Sequence, residues 1–158
     1  MRRIILKTLS LIAVTCSLAG SLWAGSAHAQ FAKPEDAVKY RQSAFTLMGS
    51  HMGRMQPVIK GQAPYDAAAI KANVAILKTL SGLPWAGFTA DSKSVSSSAK
   101  PDVWSDAAGF KAAQDKFNGA MTKLVAAADS GDLEKLRAAY GDVGASCKAC
   151  HDTFRAKK

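Results

Sequence analysis

From residue 34 onward, apolar side chains recur every three or four positions, and nothing alternates with a period of two over a useful length. Four stretches carry this helical rhythm. The first opens at Pro34, a residue suited to the first turn of a helix. It is expected to run to about Lys60, with a stripe of Val38, Arg41, Phe45, Met48, Met52, Met55 and Ile59. The second runs from about Tyr65 to Leu80 through Ile70, Val74 and Leu77, and stops at Ser81-Gly82-Leu83-Pro84. Residues 83–102, with two prolines and a serine-rich run, read as a long connection. The third helix spans about Val103 to Asp129 on Phe110, Gln114, Phe117, Met121, Leu124 and Ala128. The fourth spans about Asp132 to Ala156 on Leu133, Leu136, Tyr140, Val143, Cys147, Cys150 and Phe154. Narrow stripes on four helices, with short first and third turns, predict an all-α fold, an antiparallel four-helix bundle. Gly141 and Gly144 weaken the fourth helix, by about 1 kcal/mol each, unless they make room for a bulky group.

Residues 1–29 stand outside this pattern. Arg2, Arg3 and Lys7 form a basic start, an apolar stretch follows from Leu9 to Leu22, and Ala27-His28-Ala29 supplies an A-x-A cleavage site. The segment reads as a cleaved signal peptide, too short and too punctuated for a membrane span. Residues 30–158 would then be one mature domain, large enough for one core and located in the periplasm. The leader holds three of the 21 basic side chains and none of the 12 acidic ones, so the remainder carries +6. Its Lys and Arg are scattered apart from Arg155-Ala156-Lys157-Lys158, which describes a solvated basic surface rather than a nucleic-acid face.

Without Cys16, the domain has two cysteines, Cys147 and Cys150. Three positions apart, they would staple nothing as a disulfide framework. With His151 they make a C-x-x-C-H on the inward stripe of the fourth helix. Two thiols one turn apart can add to the two vinyl groups of a haem, and the adjacent histidine is then held beneath the iron. A zinc site needs four suitable ligands, and the domain offers only His51 besides the motif. A thioredoxin-like dithiol follows a strand, whereas these cysteines sit on a helix.

No methionine follows His151, so a second axial ligand would have to come from another helix. The first helix faces the motif with Arg41, Phe45 and Met48. An arginine in an apolar stripe is costly unless it meets an anion, such as a haem propionate, or snorkels to water. Phe45, one turn on, would reach over the iron or serve as ordinary core. His51 lies off that seam and reads as a surface or interhelical residue, and Met52 and Met55 as core filler.

These segments resemble cytochrome c′, the class II c-type cytochromes. The likeness covers residues 30–158 and is carried by "AVKYRQSAFTLM", "KGQAPYDAAAIKANVAILKTLSGLPWAGF", "WSDAAGFK" and "GDLEKLRAAYGDVGASCKACHDTFR". The resemblance implies one covalent haem c per chain, thioether-linked to Cys147 and Cys150, with His151 as the axial iron ligand. Arg155 would flank the proximal pocket, Arg41 the propionate side, and Phe45 would cover the vacant distal position. Close relatives carry Leu there, so the larger ring puts gas affinity in question in either direction. It further implies five-coordinate, high-spin iron that binds NO and CO but not O₂, and NO that can settle on the proximal face. A homodimer through helices one and two is implied as well. The rival reading is a low-spin electron-transfer cytochrome with Met48 as sixth ligand. A peroxidase would want a distal histidine, and none is evident.

Overall fold

The computed structural model describes residues 30–157, so the leader expected at 1–29 and its Cys16 lie outside the described residues. Within these, five helices follow one another: α1 (Pro34–Ile59), α2 (Ala67–Ser81), the single turn α3 (Asp102–Ser105), α4 (Ala107–Ser130) and α5 (Leu133–Phe154). The four long ones form the bundle, with α4 against α5 as the most extensive pairing and α2 packed on both α1 and α4. Starts and stops follow local chemistry. The Asp66 carboxylate accepts from the amides of Ala68 and Ala69, and Asp132 from those of Glu134 and Lys135, satisfying donors that the first turn of a helix leaves free. Gly131, at φ 70°, turns the chain out of α4 in a conformation that other residues adopt only with strain.

The third stripe is interrupted, against expectation. Asp106 leaves helical geometry, at φ −112° and ψ 63°, and its carboxylate caps the Gly109 amide, so α4 begins afresh at Ala107. The break lets the preceding turn lean back on the connection, where Trp104 Nε1 donates to the Thr89 carbonyl at 3.1 Å. At the other end, α5 stops at Phe154 rather than Ala156, because Arg155 turns to extended geometry and bridges to Ala99.

Residues 83–102 are more ordered than their composition implied. They contain two 3₁₀ turns, Pro84–Gly87 and Asp91–Ser94, and the first lies along α1. Close approach there requires Gly87: a Cβ at that position would stand 2.6 Å from the Ala37 carbonyl oxygen and 2.9 Å from Arg41 Cβ. Backbone atoms cannot give way as a flexible side chain does. Gly87→Ala is therefore expected to destabilise by roughly 1–3 kcal/mol through overpacking, read as a lowered denaturation midpoint of the haem-loaded protein at unchanged m-value.

The core runs up the bundle axis through Met55, Val74, Leu77, Met121, Leu124, Leu136 and Val143, all at most 1% exposed. A second apolar cluster, Val103, Phe110 and Phe154, lies toward the connection, joined by Trp85, Phe88 and Cys150. His51 is an interhelical residue: its Nδ1 donates to Asn73 Oδ1 at 2.7 Å, and Asn73 Nδ2 donates back to the His51 carbonyl at 2.9 Å. This reciprocal pair sets the register of α1 against α2.

Candidate haem site

Between the two apolar clusters lies a cavity of 780 Å³, within the range of cofactor pockets. One wall is α5, which presents Tyr140, Val143, Gly144, Cys147, Cys150 and His151. The residues obey a single helical face, since Tyr140, Cys147 and Cys150 belong to the inward stripe. Gly141 and Gly144 both have open space where a side chain would stand, and of the two it is Gly144 that borders the cavity. The facing wall is α1, with Arg41, Phe45, Met48 and Met52. The connection and α4 close the sides with Trp85, Phe88, Phe110 and Phe117.

The thiols of Cys147 and Cys150 are both half-buried and unbridged. Burial pushes both thiol pKa values up, and for Cys150 the neighbouring Cys147 adds to the effect. His151 lies at the exposed edge of the cavity. Burial of its ring, aided by the Arg155 charge and opposed by Asp152, lowers its pKa and favours the neutral imidazole, the form that can ligate a metal. The backbone places Arg155 beside it, with the Arg155 amide donating to the His151 carbonyl at 3.1 Å.

Arg41 does not snorkel. It is 2% exposed, and its guanidinium is fixed by the connection: Nη1 donates to the Gly87 carbonyl at 2.5 Å and to Ser92 Oγ at 2.8 Å, and Nη2 to Ser97 Oγ at 3.1 Å. The Phe88 ring lies 4.6 Å beneath it. Burial lowers its pKa, yet a guanidinium stays charged in proteins. None of its partners carries a negative charge. Among the described residues, two of the five guanidinium N–H groups have no hydrogen-bond partner, and no Asp or Glu lines the cavity.

Phe45 is held edge-on by Trp85 and Phe88, with ring centroids 5.8 and 6.3 Å away. Trp85 in turn stacks on Phe88 and meets Phe110 and Phe117 edge-on. The structure thus brings Arg41, Phe45, Met48, Cys147, Cys150, His151 and Arg155 around one space. It adds Trp85, Phe88, Ser92 and Ser97, which the sequence pattern left in a featureless connection. The aromatics of "LPWAGF" were the available signal there, because a solvated loop has little use for Trp and Phe.

A flat, largely apolar macrocycle with acidic substituents answers both features of this space, the aromatic lining and the buried cation without a counter-charge. Paired thiols and a neutral imidazole on one wall would give such a group anchorage. Fold and site together define a c-type haem protein of bundle architecture.

Comparison with known proteins carries this to the family. The cytochrome c′ family model matches residues 36–155. A cytochrome c′ of Alcaligenes xylosoxydans xylosoxydans is 69% identical over 129 residues, 82% of this chain and all of the relative. One from Rubrivivax gelatinosus is 51% identical over 129 residues, covering 81% of this chain and all of the relative. Among solved structures, a nitric oxide complex of a cytochrome c prime mutant from Alcaligenes xylosoxidans superposes with a TM-score of 0.79 at 68% identity, covering 82% of this chain and all of that one. The chain belongs to the cytochrome c′ family and carries haem c bound covalently.

Proposed function

We propose that this protein is a periplasmic gas-binding cytochrome in which Cys147 and Cys150 carry the thioether links and His151 is the one axial ligand. Phe45 covers the opposite face, where NO and CO enter. The haem supplies an iron centre able to bind diatomic gases and to exchange one electron. The observation that supports the reading most is the asymmetry of the cavity. Among the described residues its α5 wall holds the only imidazole lining it, and its α1 wall opposite presents Phe45 and Met48, flanked by Trp85 and Phe88, with the polar Arg41, Gln42 and Thr46 on the same helix. Phe45 and Met48 themselves carry no hydrogen-bond donor to stabilise a polarised dioxygen ligand, so a binding position beneath them favours NO and CO over dioxygen. Arg41, already fixed by three hydrogen bonds, turns its spare N–H groups to a propionate. Arg155 flanks the proximal edge next to His151 and is placed to influence NO that settles on that face.

Export of residues 30–158 follows from the leader and suits covalent haem attachment outside the cytoplasm. No helix among the described residues is long and apolar enough to cross a membrane. A homodimer through α1 and α2 is supported by two exposed apolar side chains, Leu47 at 49% and Ile76 at 47% exposure. In antiparallel helices registered by the His51–Asn73 pair, residues four before His51 and three after Asn73 stand at about the same height along the bundle.

Met48 also lines the cavity, the observation that favours a second reading, a low-spin electron-transfer cytochrome with Met48 as sixth ligand. Absorption spectra during stopped-flow titration separate the two. The expected result is a high-spin ferric spectrum without a thioether–iron charge-transfer band, uptake of NO and CO by the ferrous form, and no change of either in Met48→Leu. A low-spin spectrum lost in Met48→Leu would establish the electron-transfer alternative instead.

A further inference from the structure

The C-terminal end of α5 has to be held in place, because His151 lies in its last turn. The final four carbonyls of a helix have no intrahelical partner. In α5 these belong to His151, Asp152, Thr153 and Phe154. The first is taken by the Arg155 amide. The other three are all taken by one residue of the connection. Lys100 Nζ accepts none and donates to the carbonyls of Asp152 and Thr153, each at 3.0 Å, and the Lys100 amide donates to that of Phe154 at 2.9 Å. An ammonium at this end also opposes the partial negative charge of the helix terminus. The same segment continues the clasp, with the Ala156 amide donating to the Ser98 carbonyl at 2.8 Å.

We infer that Lys100 is a positioning residue for His151: from a segment 51 residues away in sequence it closes the turn that carries the histidine. The inference deepens the reading of His151 as the axial ligand and rests on it. Lys100 also sits beside Ser97, whose hydroxyl accepts from Arg41, so a single short segment fixes the α5 terminus and the buried guanidinium. The thioethers proposed at Cys147 and Cys150 would anchor the helix one turn before His151 and at the residue just before it. Neither reaches the carbonyls that follow His151, and those are held by Lys100.

The test uses haem-loaded Lys100→Met, which keeps the aliphatic stem and removes the ammonium, and Lys100→Arg, which restores donors. Two readouts are taken: hydrogen exchange of the Arg155 and Ala156 amides in the ferrous protein, and the iron–histidine stretching band by resonance Raman. In Lys100→Met the amides are expected to exchange about tenfold faster, as loss of a charge-assisted pair of hydrogen bonds implies. The band should shift and broaden, and Lys100→Arg should recover both. Unchanged exchange overturns the capping role. Faster exchange with an unchanged band overturns the positioning of His151. NO uptake by the unaltered protein is measured separately. Its failure would remove the gas-binding reading while the exchange and Raman results still decide the role of Lys100.

Discussion

Replacing Cys147 and Cys150 together by alanine is expected to yield a protein without covalently held haem and, once any loosely bound haem is removed, without its native tertiary packing. The reason is the size of the space the bundle encloses. At about 24 cal/mol per Å³, holding 780 Å³ of cavity dry and open would cost on the order of 15–20 kcal/mol, more than the typical 5–15 kcal/mol stability of a domain. The cavity opens at its His151 edge, so water entry relieves part of this cost, but its lining of Phe45, Trp85, Phe88, Phe110 and Phe117 is a poor surface for water. Those side chains must therefore collapse inward or fluctuate. Helices α1, α2, α4 and α5 keep their own backbone hydrogen bonds, so far-UV circular dichroism should persist while near-UV bands fade. Acidic ketone should extract all Soret absorbance from the double variant and none from the parent. Haem that resists extraction from the double variant would contradict the assignment of the two thiols, and sharp near-UV bands in the haem-free form would contradict the packing argument.

The second large effect is expected at Phe45. The ring does not simply hang over the cavity; Trp85 and Phe88 hold it edge-on, and Trp85 is itself buttressed by Phe110 and Phe117. A gas that needs the ring's space must displace it from this cage, and each aromatic pair disturbed is worth ~0.5–1.5 kcal/mol. The sequence left open whether a ring in place of leucine eases or opposes entry. With Phe45 at the proposed gas-binding face, this packing predicts opposition. Phe45→Leu is expected to raise CO affinity of the ferrous protein by roughly threefold to tenfold, and Phe45→Ala by roughly 10–100-fold, the equivalent of ~1–3 kcal/mol of relieved crowding. Equilibrium CO titration reads this directly. Affinity that is unchanged or lower in both variants would show that Phe45 does not guard the gas-binding face.

Much of the architecture was legible in the order of residues because it is set by local rules. A period of three to four fixes which face of each long helix turns inward. Asp66 and Asp132 cap their helices through their own neighbours, and Gly131 marks a turn that only its backbone freedom allows cheaply. The C-x-x-C-H is equally local, since its geometry needs a single helical turn. Arg41 was legible as an anomaly, a charge within an apolar stripe. That it would be buried and held by the neutral Gly87, Ser92 and Ser97 was not, because those partners lie about fifty positions away.

The sequence by itself therefore determined the helices, their inward faces and the chemistry of one wall of the site. Tertiary structure decided the rest. It broke the third helix at Asp106, where a side-chain cap and the Trp104 contact outweighed helical continuity. It turned a proline- and serine-rich connection into the clamp on Arg41, the cage around Phe45 and the cap on α5. Local signals could not announce these roles, because each arises from contacts between segments far apart in the chain. Such contacts exist only once the bundle has brought its elements together.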